Sequence, residues 1–188
     1  MQTVEIIGFS ILASIVYGIL HDQVTARICV EYFTVGHPPL FDTTSPTLIG
    51  LGWGIVATWW VGLFLGGLLA VAARAGSLPK RSARSLTRPI AVLMAVCATC
   101  ALASGAVGHL LASGGVVRLA EPFASELPLG RQVPFLTDLW AHTASYGAGF
   151  VGGLVLAVHT IASRVKERRA EDAEAHARQG SDAEIGAV

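Results

Sequence analysis

Residues 48–73 read LIGLGWGIVATWWVGLFLGGLLAVAA, 26 positions without one charged side chain. As a helix this run is about 39 Å long at 1.5 Å per residue, more than the roughly 30 Å hydrocarbon core of a bilayer. Such a stretch predicts a membrane-spanning helix, because a helix closes its own backbone hydrogen bonds where there is no water to do so. Three further stretches follow the same rule: about Val4 to Leu20, Ile90 to Ala112 and Leu139 to Ala162. Composition agrees. The chain is 53% hydrophobic and 14% charged over 188 residues, with a mean hydropathy of +0.59, against about 25% charged in soluble domains. Thirteen basic and thirteen acidic residues cancel, so no basic field argues for nucleic acid. The expected fold is an all-α integral membrane four-helix bundle over residues 1–162, with the lipid bilayer around it. A polar tail over residues 163–188 begins helical and then frays into disorder.

A cleavable signal peptide competes for the first and shortest span. That segment has no basic n-region, carries Glu5 in its place, and shows no small-x-small cleavage site before His21, so it reads as an anchor. Orientation follows from Lys and Arg. Arg74, Lys80, Arg81, Arg84 and Arg88 lie between spans two and three, and Arg164, Lys166, Arg168 and Arg169 follow span four. Only Arg27, Arg118 and Arg131 lie on the opposite side. Both termini are therefore expected to be cytoplasmic.

Gly66-Gly67-Leu68 in span two is echoed by Gly152-Gly153-Leu154 in span four, an offset of 86 residues. That offset reads as a duplicated helical hairpin in parallel topology. Gly62 with Gly66, and Gly149 with Gly153, place small residues on one face where a neighbouring helix approaches closely. Trp53 and Trp140 fall near the outer ends of their spans, as interfacial anchors do.

The polar residues of the membrane region collect on the outer side. From His21 to Val35 no glycine or proline interrupts the chain, so the first helix is expected to continue for three turns with Arg27 and Glu31 as an ion pair four apart. Gly36, Pro38 and Pro39 then stop it. His109 lies near the outer end of span three, and span four opens with Asp138 and His142 four apart on one face, with Tyr146 one turn on. In a bundle His21, His109 and His142 share one depth, with Asp22, Glu31, His37 and Asp138 within reach. Ionisable groups are costly in a membrane and by default face the bundle interior at a site. Imidazoles with carboxylates are a ligand set for iron, copper or zinc. The candidate metal ligands are thus His21, Asp22, His37, His109, Asp138 and His142. Glu31 or Asp138 would handle protons, with Tyr146 close by.

Other readings of the same residues stay open. Two of the bundle histidines could hold a haem, the set could relay protons or bind a passing cation, or the group could only snorkel and cross-link helices. Cys97 and Cys100 form a C-x-x-C pair deep in span three and read as small core hydrophobes. The connection from Ser113 to Thr137, with Pro122, Pro128 and Pro134, reads as a lid over the outer end, in which Glu121 or Glu126 either supplies a further carboxylate or, as the favoured role for each, belongs to a solvated loop. Four spans are few for a solitary transporter, so a homodimer is expected on grounds of size.

The run from His21 to Pro39, with its His-Asp-Gln start, Glu-Tyr-Phe-Thr middle and His-Pro end, resembles a segment of small bacterial multi-spanning membrane proteins of uncharacterised function. The resemblance covers this run alone. It implies a bacterial inner-membrane protein and brings no activity with it.

Overall fold

The computed structural model describes the backbone of residues 1–185 and side chains as far as residue 179; the last residues of the polar tail lie outside the described part. Among the described residues seven helices follow one another: α1 Gln2–Ile28, α2 Val30–Thr34, α3 Pro46–Val56, α4 Trp59–Arg74, α5 Ala83–Ser113, α6 Phe123–Glu126 and α7 Leu129–Ile185. No strand occurs among the described residues. Of these described residues, four segments are long and apolar enough to cross a membrane: Gln2–Ile28, Pro46–Arg74, Ala83–Ser113 and Leu129–Gln179. By length and composition the protein reads as a membrane protein.

α1 runs eight residues past the apolar stretch because nothing in it breaks a helix before Cys29, whose backbone is extended at φ −146° and ψ 95°. α2 restarts at once in a new direction. The expected pairing of Arg27 with Glu31 is therefore replaced. Arg27 donates to the Gln23 side chain at 2.8 Å and to Thr47 Oγ1 at 2.8 Å, while Glu31 turns towards α7. The second span is two helices, not one. Pro46 starts α3, where its missing N–H costs nothing. The helix then loosens at Ala57 and Thr58, and the freed Ala57 carbonyl accepts a hydrogen bond from the Tyr146 hydroxyl at 3.4 Å. α5 opens on Ser82, whose hydroxyl accepts from Ser85 N–H at 3.3 Å. α7 continues from the fourth span through the tail to Ile185.

Packing depends on missing side chains. At the crossing of α1 and α3, a Cβ on Gly54 would lie 2.5 Å from the backbone N and Cα of Ile19, so only glycine permits that approach. α4 and α1 meet in the same way at Gly62, where a Cβ would come 2.7 Å from Ile11 Cα. α5 leaves room at Gly108 for the Trp140 ring of α7. The core divides in two along the bundle. At the end holding the N-terminus, Ile6 packs with Leu69, Ala73, Leu86 and Ile90. At the other end Ala26, Cys29, Tyr32, Phe33, Ile49, Trp53, Leu127 and Phe135 pack together. Trp53, expected at an interface, belongs to that core and is 9% exposed. Leu119, Phe123 and Leu127 bring the connection before α7 down onto this end as a cover. Outward-facing Val4, Leu12, Leu102, Val151, Val155 and Val158 remain exposed, as a lipid-contacting surface requires.

The N-terminal end is locked by one arginine. Arg164 of α7 is 2% exposed and donates to the carbonyls of Ala72, Ala75, Leu78 and Pro79. These are the last carbonyls of α4 and those of the loop after it, groups that a helix end leaves unbonded and slightly negative. Arg81 ties the same loop to Glu167 at 2.8 Å.

Candidate functional site: a buried histidine and aspartate cluster

Residue 21 lies about 28 Å along α1 from residue 2 at 1.5 Å per residue, beyond the glycine crossings and just short of the core at the end away from the N-terminus. There His21 and Asp22 project from adjacent positions of α1, and α7 brings His142 against them. The ligand atoms of His21, Asp22 and His142 all lie within 4.8 Å of one another. Asp22 and His142 are buried, at 4% and 7% exposure. The two imidazoles meet edge to face at a centroid distance of 4.5 Å.

The hydrogen bonds of His142 fix its chemistry. Its Nδ1 is 2.8 Å from the Asp138 carbonyl oxygen, which can only accept, so Nδ1 carries a proton. Its Nε2 lies 3.2 Å from Asp22 Oδ1. In the neutral ring Nε2 is then a lone pair facing a carboxylate, two acceptors in contact. Such a contact needs a cation between them, either a proton or a metal ion. His21 Nε2, also buried, has no hydrogen-bond partner among the described residues. Asp138, one turn before His142, has no exposure at all and both of its carboxylate oxygens lack partners. Buried polar groups are rarely left so, and here several occur around one point.

Aromatic rings close the side away from the N-terminal end. Tyr32 of α2 stacks on His142 at 4.4 Å, and Phe33 stands edge-on to the same ring at 5.6 Å. On the side towards the N-terminal end a cavity of about 60 Å³ is lined by Tyr17, His21, Asp22, His142, Ser145 and Tyr146, with Met94 and Cys97 on the α5 wall. That is space for a few waters or one small ligand. Tyr17 Oη and Ser145 Oγ, 2.6 Å apart, form its polar edge.

Of the residues singled out from the sequence, the structure brings His21, Asp22 and His142 together, with Asp138 beside them. His37 lies in the layer above. Its Nδ1 donates to the Tyr32 carbonyl at 2.8 Å and its ring packs on Trp53 at 4.8 Å. His109 is exposed on α5 and meets Thr137 Oγ1 at 3.2 Å, away from the cluster. Tyr146 lines the cavity with its hydroxyl turned to Ala57. Glu31 is held by Arg131 through both oxygens, at 2.9 and 2.7 Å. That guanidinium keeps the Glu31 carboxyl below the usual carboxylate range. Beside it, burial pushes the Cys29 thiol up to about 12, so the thiol stays protonated and donates to Glu31 at 3.4 Å. Glu121 accepts from Ser125 within its own turn and does not reach the site.

Sequence reasoning passed over Tyr17, Ser145 and Tyr32. A signal existed for the first two: Tyr17 precedes His21 by one helical turn and Ser145 follows His142 by three residues, so each shares a face with a site histidine. Tyr32 arrives through the break at Cys29, for which the sequence carries no glycine or proline. No protein-family model, curated protein or solved structure matches this chain.

Proposed function

We propose that the protein is a multi-pass protein of a bacterial inner membrane whose His21, Asp22 and His142 bind one transition-metal ion at the extracytoplasmic end of the bundle. The contact of His142 Nε2 with Asp22 Oδ1 carries this reading, because two acceptors at 3.2 Å with a third, unpartnered imidazole nitrogen beside them form a cation's donor set. A tetrahedral ion with ligands at 2.0–2.1 Å holds its donors about 3.4 Å apart. Three donors within 4.8 Å close to that spacing with side-chain shifts of about an ångström. The bond from His142 Nδ1 to the Asp138 carbonyl is the outer support that metal-binding histidines use to fix their tautomer. Three protein ligands leave a coordination position, and the cavity gives it room for water or a small substrate. Asp138 is the group suited to exchange protons there, since Glu31 is engaged by Arg131.

The ion is bare iron, copper or zinc, not haem: with the His21 and His142 rings 4.5 Å apart, no porphyrin plane fits between them. Orientation rests on the nine Lys and Arg of the end that also holds the N-terminus, which puts that end in the cytoplasm and the cluster at the far end. The glycine echo supports a duplicated hairpin in composition. In packing the two pairs differ, since Gly62 and Gly66 face α1 whereas Gly149 and Gly153 face Cys97 and Leu65.

The test is elemental analysis with an optical spectrum of protein purified without chelator, beside Asp22→Asn and His142→Ala. Near-stoichiometric metal that is lost in both variants is the expected result. Absence of metal from the wild type after incubation with each ion would overturn it. The partnerless carboxylate of Asp138 favours one second reading, a proton pathway through Asp138, Asp22 and His142. A pH gradient dissipated by proteoliposomes of the wild type but not of Asp138→Asn would establish that reading.

A further inference from the structure

Along α1 the polar residues Ser10, Ser14, Tyr17 and His21 recur at steps of four, three and four, so they share one helix face. The opposite face, Leu12, Val16, Leu20 and Val24, is exposed. The polar face therefore lies inside the bundle, and two cavities follow it. The cavity of about 60 Å³ beneath the cluster reaches Ser14, and a second of about 30 Å³ continues from Ser14 to Ser10, with Leu65 and Met94 lining both. Thr58 and Ser145 add hydroxyls to the first. Beyond the second, Ile6, Leu69 and Ile90 close the bundle in one apolar layer. Ile6 lies four residues before Ser10, about 6 Å at 1.5 Å per residue.

We propose that this face is a proton-conducting line along the bundle axis, which joins the cluster to the N-terminal end through hydroxyls and the waters of the two cavities and is gated by the layer of Ile6, Leu69 and Ile90. The inference rests on the proton-pathway reading given above and supplies its second half. Packing alone does not account for the hydroxyls. Ser10 and Ser14 lie against Gly66 and Gly62 of α4, where small size is needed, but alanine is smaller still and carries no polar group to bury. A hydroxyl that donates to its own helix, as Ser10 does to the Ile6 carbonyl at 2.8 Å, still accepts from water. The second span points the same way. It breaks at Ala57 and Thr58, near its middle, and Thr58 lines the larger cavity. Helices inside a membrane break where the backbone is buried in protein or borders a water-holding space. Size and lining select the occupant. At about 10–15 Å³ for each water, the two spaces hold a few waters and about two. No charged side chain lines the smaller one, so a metal cation beside Ser10 would be buried without a counter-charge, whereas a proton passes by exchange of hydrogen bonds. Each transfer balances: a hydroxyl or water takes up a proton on one side and releases one on the other, and no electron moves.

The test is proton flux into proteoliposomes of the full chain, read by trapped pyranine under a potassium diffusion potential. Ile6→Ala opens space in the apolar layer and should raise the flux about tenfold over the wild type, with sodium flux unchanged. Adding Gly149→Val should return it to the wild-type level. That side chain enters the larger cavity from a position where a Cβ meets only Cys97 Sγ, at 3.7 Å. Leu69→Ala replaces Ile6→Ala, and Gly149→Ala replaces Gly149→Val, should either fail to fold. An Ile6→Ala flux equal to that of the wild type, an equal rise in sodium flux, or a raised flux that Gly149→Val leaves intact would each overturn the inference. Asp138→Asn separates the line from the reading on which it rests. Raised flux that Gly149→Val blocks and Asp138→Asn does not would remove Asp138 from the route and leave the axial line standing. Wild-type flux that Asp138→Asn stops, but that Ile6→Ala and Gly149→Val leave unchanged, would remove the line and leave the route through Asp138.

Discussion

His142 Nε2 lies 3.2 Å from Asp22 Oδ1 across 120 residues of chain, inside the bundle and within reach of the His21 ring. Each partner makes the other's burial tolerable only if positive charge is shared between them. Asp22→Asn keeps the volume and removes the charge. It should lower metal affinity at least tenfold, read as metal content after dialysis against a weak chelator, in protein that still elutes as the wild type does. His109→Ala should leave metal content unchanged, because His109 faces outward. Loss of metal in His109→Ala together with retention in Asp22→Asn would place the site elsewhere.

Gly54 and Gly8 should answer alanine with opposite signs. Alanine is the better helix former by roughly 1 kcal/mol. At Gly8 nothing lies within 4 Å of the added carbon, so Gly8→Ala should raise thermal stability in detergent slightly. At Gly54 the carbon would meet the Ile19 backbone at 2.5 Å, which cannot rotate away. The helices must part, at about 1–3 kcal/mol, and the transition temperature should fall.

Arg164→Met retains the bulk of the side chain and abandons the carbonyls of Ala72, Ala75, Leu78 and Pro79. The loss should be about 2–4 kcal/mol, since each buried acceptor left bare costs about 1–3 kcal/mol and the loop can rehydrate in part. Thermal unfolding in detergent measures it. Arg164→Lys should recover less than half, because one ammonium cannot reach four acceptors.

The link from Glu31 to Arg131 should show in pH dependence. Its folded carboxyl titrates below the ordinary value of 4.5, so the contribution to stability is complete above that pH and disappears as pH falls through the lower folded value. Thermal stability of the wild type relative to Glu31→Gln should therefore be constant from neutrality down to the ordinary carboxylate range and shrink below it. A difference that grows on acidification would mean that Glu31 is not held by Arg131.

The four long helices were legible because hydropathy over 20 or more residues is a local quantity, needing no knowledge of neighbours. His21, Asp22 and His142 were legible as rare ionisable residues in an apolar setting. Which of the candidates meet was not. His109 is level with Thr137, five residues and about 7.5 Å before His142 at 1.5 Å per residue, and faces outward, a register set by Gly105 and Gly108 lying against Ala141 and Trp140. The partner of Glu31 lies 100 residues away, and Arg27 looked better placed until the chain turned at Cys29. The broken second span was equally hidden, for Ala57 and Thr58 are ordinary helix residues until Tyr146 offers the loosened carbonyl a partner.

Arg164 also bears on the order of assembly. The carbonyl of Ala72 waits for a guanidinium made 92 residues later, which at about 5–20 residues per second of synthesis is roughly 5–20 s. Through that interval the end of α4 has no guanidinium to bond, so it is satisfied by water in the aqueous phase while α5 is inserted and the first part of α7 is made. The fourth span is thus the latch as well as the last part. A chain truncated before residue 164 should keep a protease-sensitive connection over residues 75–82, and a chain that carries Arg164 and has left the ribosome should close it.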